Sequence, residues 1–239
     1  MFFIGPPFGN YIRLPDTVPI KGSFTLEERT GLLMQIYKTL YYSKVHEGWV
    51  NKIGLRNKGI DYAIKDFEKG NKNDVYSIAV LKKEDIPILV KKIPENMNIE
   101  LNVSCPNAEK KMETDGLEQF LNPLRRWCIV KLSPTVDSKL VDKYYNVGFR
   151  QFHCSNTIPV EDGGLSGRKI IPYTDKHIMY IRKHYPNCEI IAGGGVNTWG
   201  VAKHYSLLGA NHFAASTVFF NPLLAGNLYI NYRMYKNRK

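Results

Sequence analysis

Hydrophobic and polar positions follow a regular pattern from about residue 70 to the end of the chain. Short apolar runs, typical of buried strands, are separated by longer segments in which apolar residues recur at helical spacing. The pattern predicts strands at 74–80, 98–104, 128–134, 149–155, 188–193 and 212–215. It predicts helices at 83–92, 117–126, 138–145, 173–185, 198–208 and 222–235.

Alternating strands and helices predict a parallel sheet with helical crossovers. A further strand is expected at 18–24, and residues 1–5 could supply an eighth. That count favours an α/β fold of the (β/α)8 TIM barrel type over an open doubly wound sheet, with residues 1–239 as a single domain. Residues 28–60 have no clear period and are expected to form an irregular cover over one end of the barrel.

Composition and net charge limit the kinds of ligand that the protein is expected to bind. The chain has 239 residues, 44% of them hydrophobic, and carries a net charge of +11 from 33 basic and 22 acidic residues. Such an excess can steer anionic ligands or bind nucleic acid non-specifically. The charge is spread along the chain, so we favour a solvated basic surface that also suits an anionic cofactor and substrate.

We do not expect a membrane protein, a disulfide-stabilised protein or a metalloprotein. No apolar run approaches the ~20 residues needed to span a bilayer, and the N-terminus lacks the features of a secretory signal. A cytoplasmic location is the expectation. Four cysteines in a chain of this length do not indicate a disulfide framework, and six scattered histidines give no metal-ligand spacing.

The segment from Asn102 to Asn107 is the strongest candidate for chemistry. The predicted strand ends here in two amides, a hydroxyl and the thiol of Cys105, followed by a proline. In a β/α barrel, residues at the carboxyl end of a strand point into the mouth of the active site. The segment therefore reads as a candidate reaction centre, and the alternative is a polar turn with an incidental cysteine.

Other strand ends carry polar residues or glycines. Gly193–Gly195 and Ser216–Thr217 follow the last two strands, where barrels often bind a phosphate, and 163–167 offers a further flexible cradle. Lys131 interrupts an apolar run, and a buried lysine requires a negative partner. The alternatives are an ordinary glycine turn and a lysine whose amine reaches solvent.

Taken together, these segments resemble the flavin-dependent dihydroorotate dehydrogenase family over about residues 18 to 230. The matching pieces, in family order, are 22–25 with Arg29 and Gly31, then 51–59, 102–107, 131–134, 155–157, 163–167, 192–196 and 216–217. Each piece alone is weak evidence, but the ordered set is specific.

The resemblance implies roles for individual residues. Cys105 stands at the position of the base that takes the C5 proton of dihydroorotate, while hydride passes from C6 to N5 of FMN. The expected substrate-binding residues are Asn51, Ile53, Gly54, Leu55, Asn102, Asn107, Asn156 and Thr157. The expected FMN-binding residues are Lys21, Ser23, Asn102, Lys131, Gly167, Gly193, Gly194, Gly195, Ser216 and Thr217.

The chain departs from the family pattern near its start. Residues 5–11 run almost directly into the second strand, which leaves a reduced first βα unit without its full helix. The usual Gly-Asn-Pro is replaced by residues 31–34, Gly-Leu-Leu-Met. Cysteine at position 105 and the absence of an N-terminal membrane extension favour fumarate or a partner-supplied NAD route over quinone, and the family implies a homodimer.

Three functions stay open at this point. The first is FMN-dependent oxidation of dihydroorotate to orotate in pyrimidine biosynthesis, with a small-molecule partner and neither membrane nor nucleic acid. The second is action on another dihydropyrimidine, including dihydrouridine in tRNA, which the basic surface would suit. The third is a degenerate, non-catalytic barrel.

Overall fold

The computed structural model describes residues 1–103 and 115–238. Its twelve strands, in chain order, are β1 (Phe2–Ile4), β2 (Thr17–Phe24), β3 (Tyr41–Ser43), β4 (Gly48–Asn51), β5 (Val75–Ile78), β6 (Ile99–Asn102), β7 (Cys128–Leu132), β8 (Gln151–Cys154), β9 (Ile158–Val160), β10 (Gly163–Gly167), β11 (Glu189–Ala192) and β12 (His212–Ala215). Eight of them close a parallel barrel in the order β1-β12-β11-β8-β7-β6-β5-β2. The predicted TIM barrel is confirmed, including the eighth strand at the start of the chain.

Seven helices surround the barrel or extend from it. They are α1 (Leu32–Thr39), α2 (Gly59–Lys69), α3 (Asp85–Lys92), α4 (Ser138–Asn146), α5 (Ile171–His184), α6 (Trp199–Leu207) and α7 (Pro222–Lys236) among the described residues. Local sequence fixes several starts: Asp137 accepts a hydrogen bond from the backbone N–H of Lys139, and Asn221 caps α7 directly before Pro222.

Successive side chains of a barrel strand point in opposite directions, one into the barrel interior and the next into the layer beneath the helices. Phe3, Ile20, Val75 and Ile129 are fully buried in one cluster inside the barrel. Closer to the carboxyl ends of the strands the interior becomes polar, because Glu100 of β6, Lys131 of β7 and His153 of β8 replace apolar residues. This polar layer supports the candidate site.

Two expectations about secondary structure were wrong. Residues 117–126 form only a short 3₁₀ helix, Leu117–Phe120, because Pro123 lacks the N–H that a continuing helix requires. The segment 28–60 is not irregular: it contains α1, β3, β4 and the start of α2. Its strands join β9 and β10 in a separate four-stranded sheet, β3-β4-β10-β9.

The start of the chain matches the expected departure from the family pattern. Only a 3₁₀ helix, Phe8–Asn10, separates β1 from β2. In residues 1–103 and 115–238, no helix has the length and apolar character to cross a bilayer. The same residues contain no group of three or more side chains suited to hold a metal ion.

Candidate active site

A cavity at the carboxyl ends of the barrel strands collects half of the site residues predicted from sequence. Its lining includes Lys131, Asn156, Thr157, Gly167, Gly193, Gly194, Gly195, Ser216 and Thr217. These residues come from five separate segments of the chain, so only closure of the barrel brings them together. The cavity lies where β/α barrels place their catalytic groups.

Glu100 lies at the centre of the polar layer beneath this cavity and is fully buried. Its Oε1 is 3.6 Å from the ammonium nitrogen of Lys131 and accepts a 3.1 Å hydrogen bond from the Ser77 hydroxyl. Its Oε2 is 2.6 Å from Nδ1 of His153. Both carboxylate oxygens therefore have partners, as a buried charge requires.

Electrostatics keep this carboxylate ionised. Burial disfavours the charge, but Lys131 and the His153 and Ser77 hydrogen bonds outweigh burial and hold the pKa of Glu100 at about 2. Burial lowers the pKa of His153 despite the opposing effect of the carboxylate. At neutral pH the cluster is a Glu100–Lys131 ion pair with a neutral imidazole beside it.

A chain of hydrogen bonds leads from this ion pair to the amides predicted to bind substrate. The Ser77 and Ser23 hydroxyls are 2.8 Å apart, and Nδ2 of Asn102 donates to Ser23 Oγ at 2.9 Å. Nδ2 of Asn156 donates to Oδ1 of Asn102 at 3.0 Å. The two asparagines are thus held in fixed orientation at the ends of β6 and β8.

The glycine loop after β11 provides close access to the cavity. A Cβ on Gly193 would lie 2.5 Å from Nε2 of His153, and Gly194 and Gly195 have φ angles of +84° and +71°, in the left-handed region. Backbone groups therefore approach the cavity here without side chains. The Ser216 hydroxyl, at the end of β12, donates to the carbonyl oxygen of Pro6.

The 51–57 loop is ordered but lies outside the cavity lining. Asn51 ends β4 and pairs with Gly164 of β10, whereas the far end of β10, Gly167, lines the cavity. Arg29 Nε donates to the Gly54 carbonyl at 3.3 Å. The structure therefore does not bring Asn51, Ile53, Gly54 and Leu55 into the wall that Lys131 and Asn156 share.

Lys21, an expected cofactor-binding residue, is not part of the cavity lining. Its ammonium is 2.5 Å from Asp66 Oδ2 and 3.1 Å from Asp74 Oδ2, and it lies beside the ring of Tyr76. Ile20, its neighbour on β2, points into the barrel, so Lys21 points outward toward α2. Ser23, two residues later, joins the hydrogen-bond chain instead.

Some residues of the cavity lining were not predicted from sequence, and two predicted site residues lie outside the described part of the chain. Gly5, Pro6, His153 and Ser155 also line the cavity. The sequence signal for His153 is its polar side chain between Phe152 and Cys154. The structure places it in register with Lys131. Cys105 and Asn107 fall outside the described residues.

A larger cavity, about 1460 Å³, lies at the opposite end of the barrel. It is lined by the starts of strands, including Thr17, Trp127 and His212, and by none of the predicted site residues. Barrel enzymes carry their chemistry at the carboxyl ends of the strands, so the site is assigned to the cavity at that end.

The residues at the carboxyl ends fit a flavin nucleotide. Gly193 leaves space that a Cβ would fill, the glycine loop and the Thr217 hydroxyl suit a phosphate, and Lys131 supplies a cation inside the cavity. The fold and site define a barrel protein whose cavity suits a flavin nucleotide.

Comparisons identify the family. The family model described as dihydroorotate dehydrogenase matches residues 19–147, more than half of the chain. The chain belongs to the dihydroorotate dehydrogenase family, whose members use FMN and act on a CH–CH group.

Individual relatives agree with this assignment. The catalytic subunit of dihydroorotate dehydrogenase B (NAD(+)) from Bacteroides fragilis is 26% identical, covering 93% of this chain and 83% of that protein. The subunit of the same name from Staphylococcus carnosus is 29% identical, covering 93% and 82%. A ligand-free DHODH crystal structure from Eimeria tenella shares the fold, with a TM-score of 0.69 at 19% identity over 87% of this chain and 74% of that one.

Proposed function

We propose that this protein oxidises dihydroorotate to orotate in pyrimidine biosynthesis, using FMN bound in the cavity described above. Family membership supports the reaction, and one structural observation carries it: Asn102 and Asn156 are joined by a 3.0 Å hydrogen bond beside a cavity that contains Lys131. Two oriented amides can pair with the carbonyl and N–H groups of a small pyrimidine without adding charge.

The proposed chemistry removes a proton from C5 and a hydride from C6 of dihydroorotate, leaving the C5=C6 double bond of orotate. Cys105 is assigned as the base, since it follows Asn102 by three residues and matches the family position. An unperturbed thiol has a pKa of about 8.5, so modest help makes it a base near neutral pH. FMN, when bound, supplies the acceptor for the two electrons.

The remaining side chains orient the substrate and balance charge in the cavity. Asn102, Asn156 and, by family position, Asn107 and Asn51 would hold the pyrimidine ring and its carboxylate. Lys131, fixed by Glu100 at 3.6 Å, offers positive charge where electrons arrive. Ser23 and Ser77 keep Asn102 from rotating, because each is hydrogen-bonded in the same chain.

The Cys105→Ala variant tests this assignment. We expect it to retain FMN but to slow flavin reduction by dihydroorotate by ~100-fold or more, the usual effect of a lost general base. Cys188→Ala is the matched control, because Cys188 is 2% exposed in the core and precedes the amino end of β11, whereas the site lies at the carboxyl ends of the strands. Rapid-reaction absorbance under anaerobic conditions measures both, and an undiminished rate in Cys105→Ala would refute the role of Cys105.

A second candidate is action on dihydrouridine in tRNA, which the net charge of +11 favours. Salt-sensitive binding of tRNA, together with flavin that dihydroorotate fails to reduce, would support this alternative. Reduction by free dihydroorotate without any nucleic acid would exclude it as the main activity.

A further inference from the structure

His153 is a buried histidine to which the proposed reaction gives no role. Only 2% of its surface is exposed, yet it lines the same cavity as Lys131 and Gly193. A histidine in the polar interior layer of a barrel needs a partner for each ring nitrogen that is not in contact with solvent. Among the residues that the structure describes, one of its two nitrogens, Nδ1, has such a partner.

The Glu100 contact fixes which nitrogen carries the proton. Nδ1 lies 2.6 Å from Oε2 of Glu100, and an ionised carboxylate can only accept a hydrogen bond. Nδ1 must therefore be the protonated nitrogen. Since burial lowers the pKa of His153, the ring is neutral at physiological pH, and Nε2 is a hydrogen-bond acceptor.

Nε2 lies on the edge of the ring beside Gly193, and both His153 and Gly193 line the cavity. It lies 2.5 Å from the position that a Cβ on Gly193 would take, so the absence of a side chain at 193 keeps this edge of the ring accessible. Within residues 1–103 and 115–238, Nε2 has no hydrogen-bond partner. Neighbouring strands β7 and β8 align Lys131 with His153 in register.

An acceptor and a donor therefore stand side by side in the cavity wall. Nε2 of His153 accepts, the ammonium of Lys131 donates, and Glu100 fixes both. The pyrimidine ring of a flavin presents the complementary edge, an N–H at N3 next to the carbonyl at C2. Such an edge can pair with both groups at once.

We propose that Nε2 of His153 accepts a hydrogen bond from N3–H of the flavin, while Lys131 serves the neighbouring carbonyl edge. His153 is then a cofactor-binding residue that selects the flavin ring by its imide edge. The proposal rests on FMN occupying this cavity, but not on dihydroorotate being the substrate.

The test compares FMN with 3-methyl-FMN, which lacks the N3 hydrogen. Apoprotein is titrated with each flavin, and quenching of flavin fluorescence gives Kd. Wild-type protein should bind 3-methyl-FMN at least about fivefold more weakly than FMN, the factor that corresponds to one net hydrogen bond. Equal affinity of wild-type protein for the two flavins would overturn the proposal without any variant.

Two substitutions separate the two nitrogens of the ring. His153→Asn keeps an amide near the Nδ1 position for Glu100 but removes the acceptor at Nε2, so its affinity for FMN should fall about fivefold and its preference over 3-methyl-FMN should vanish. His153→Gln extends an amide oxygen toward the Nε2 position and should recover part of the preference. His204→Asn, at an exposed histidine paired with Asp175, is the control.

The outcomes distinguish this proposal from the proposed function. If His153→Asn retains the wild-type preference between the two flavins, the assignment of Nε2 is wrong, whatever the substrate. If the flavin preference behaves as expected but dihydroorotate fails to reduce bound FMN, the binding inference stands and the proposed reaction fails.

Discussion

Replacing Glu100 with glutamine should destabilise the protein strongly, because it removes the negative charge that lies 3.6 Å from the ammonium of Lys131 in the polar layer. Glu100 is fully buried and the side chain of Lys131 is 12% exposed. The substitution preserves size, but the amide has one accepting oxygen, so it can keep only one of the two hydrogen bonds that Ser77 and His153 donate to Glu100. The change removes the negative charge and one acceptor.

The magnitude follows from the geometry. Two unit charges 3.6 Å apart attract each other by about 5 kcal/mol at an effective dielectric constant of ~20. Removing one member of a buried pair typically costs about 3–5 kcal/mol, because the remaining ion keeps its desolvation penalty. The free energy of unfolding of a small domain is about 5–15 kcal/mol, so Glu100→Gln should lose a large share of the protein's stability.

Urea denaturation followed by circular dichroism at pH 7 measures the effect. The set comprises wild type, Glu100→Gln, Lys131→Met and the double variant, with Glu118→Gln as an exposed control expected within about 0.5 kcal/mol of wild type. The double variant should lose less than the sum of the single variants, since it leaves no unpaired charge. A Glu100→Gln variant as stable as the control, or strictly additive losses, would refute the ion-pair account.

Two further predictions concern the same cluster. Stability should fall as pH decreases below about 6.5, because the fold lowers the pKa of both His153 and Glu100, so the unfolded chain takes up protons first. Urea midpoints between pH 7.5 and 4 measure this, and a slope unchanged in His153→Asn between pH 7 and 5 would contradict the assignment to His153. Gly193→Ala should weaken FMN binding at least about fivefold, because overpacking costs about 1–3 kcal/mol, whereas Gly226→Ala meets open space in α7 and should retain wild-type affinity. Fluorescence titration with FMN compares the two, and equal affinities would remove Gly193 from the site.

The sequence predicted the barrel well because its signal is long-range and repeated. Each barrel strand from β5 onward is a largely apolar run, and each is separated from the next barrel strand by a segment long enough for a crossover. The same method missed all four strands of the second sheet, β3, β4, β9 and β10. They have three to five residues each, and alternation over so few residues is indistinguishable from chance. Helical spacing at 117–126 also predicted a full helix, although Pro123 lies inside that segment.

At the site the differences have another physical origin. The structure places Lys21 outside the cavity lining, and side chains alternate along a strand, so a shift of one residue moves a side chain to the opposite face. Glu100 and His153 were not identified as a pair, because 53 residues separate them and only the register of β6, β7 and β8 brings them together. Strand-end residues such as Asn102 and Asn156 were easier to predict, since the barrel gathers all carboxyl ends at one place.

The account's central claim is that FMN in this cavity accepts electrons from dihydroorotate. The most direct measurement is the visible absorption spectrum of the FMN-loaded protein, recorded without oxygen before and after addition of dihydroorotate. The account predicts that the flavin absorption bleaches and that orotate appears in equal amount. A flavin that binds but stays oxidised would contradict the claim.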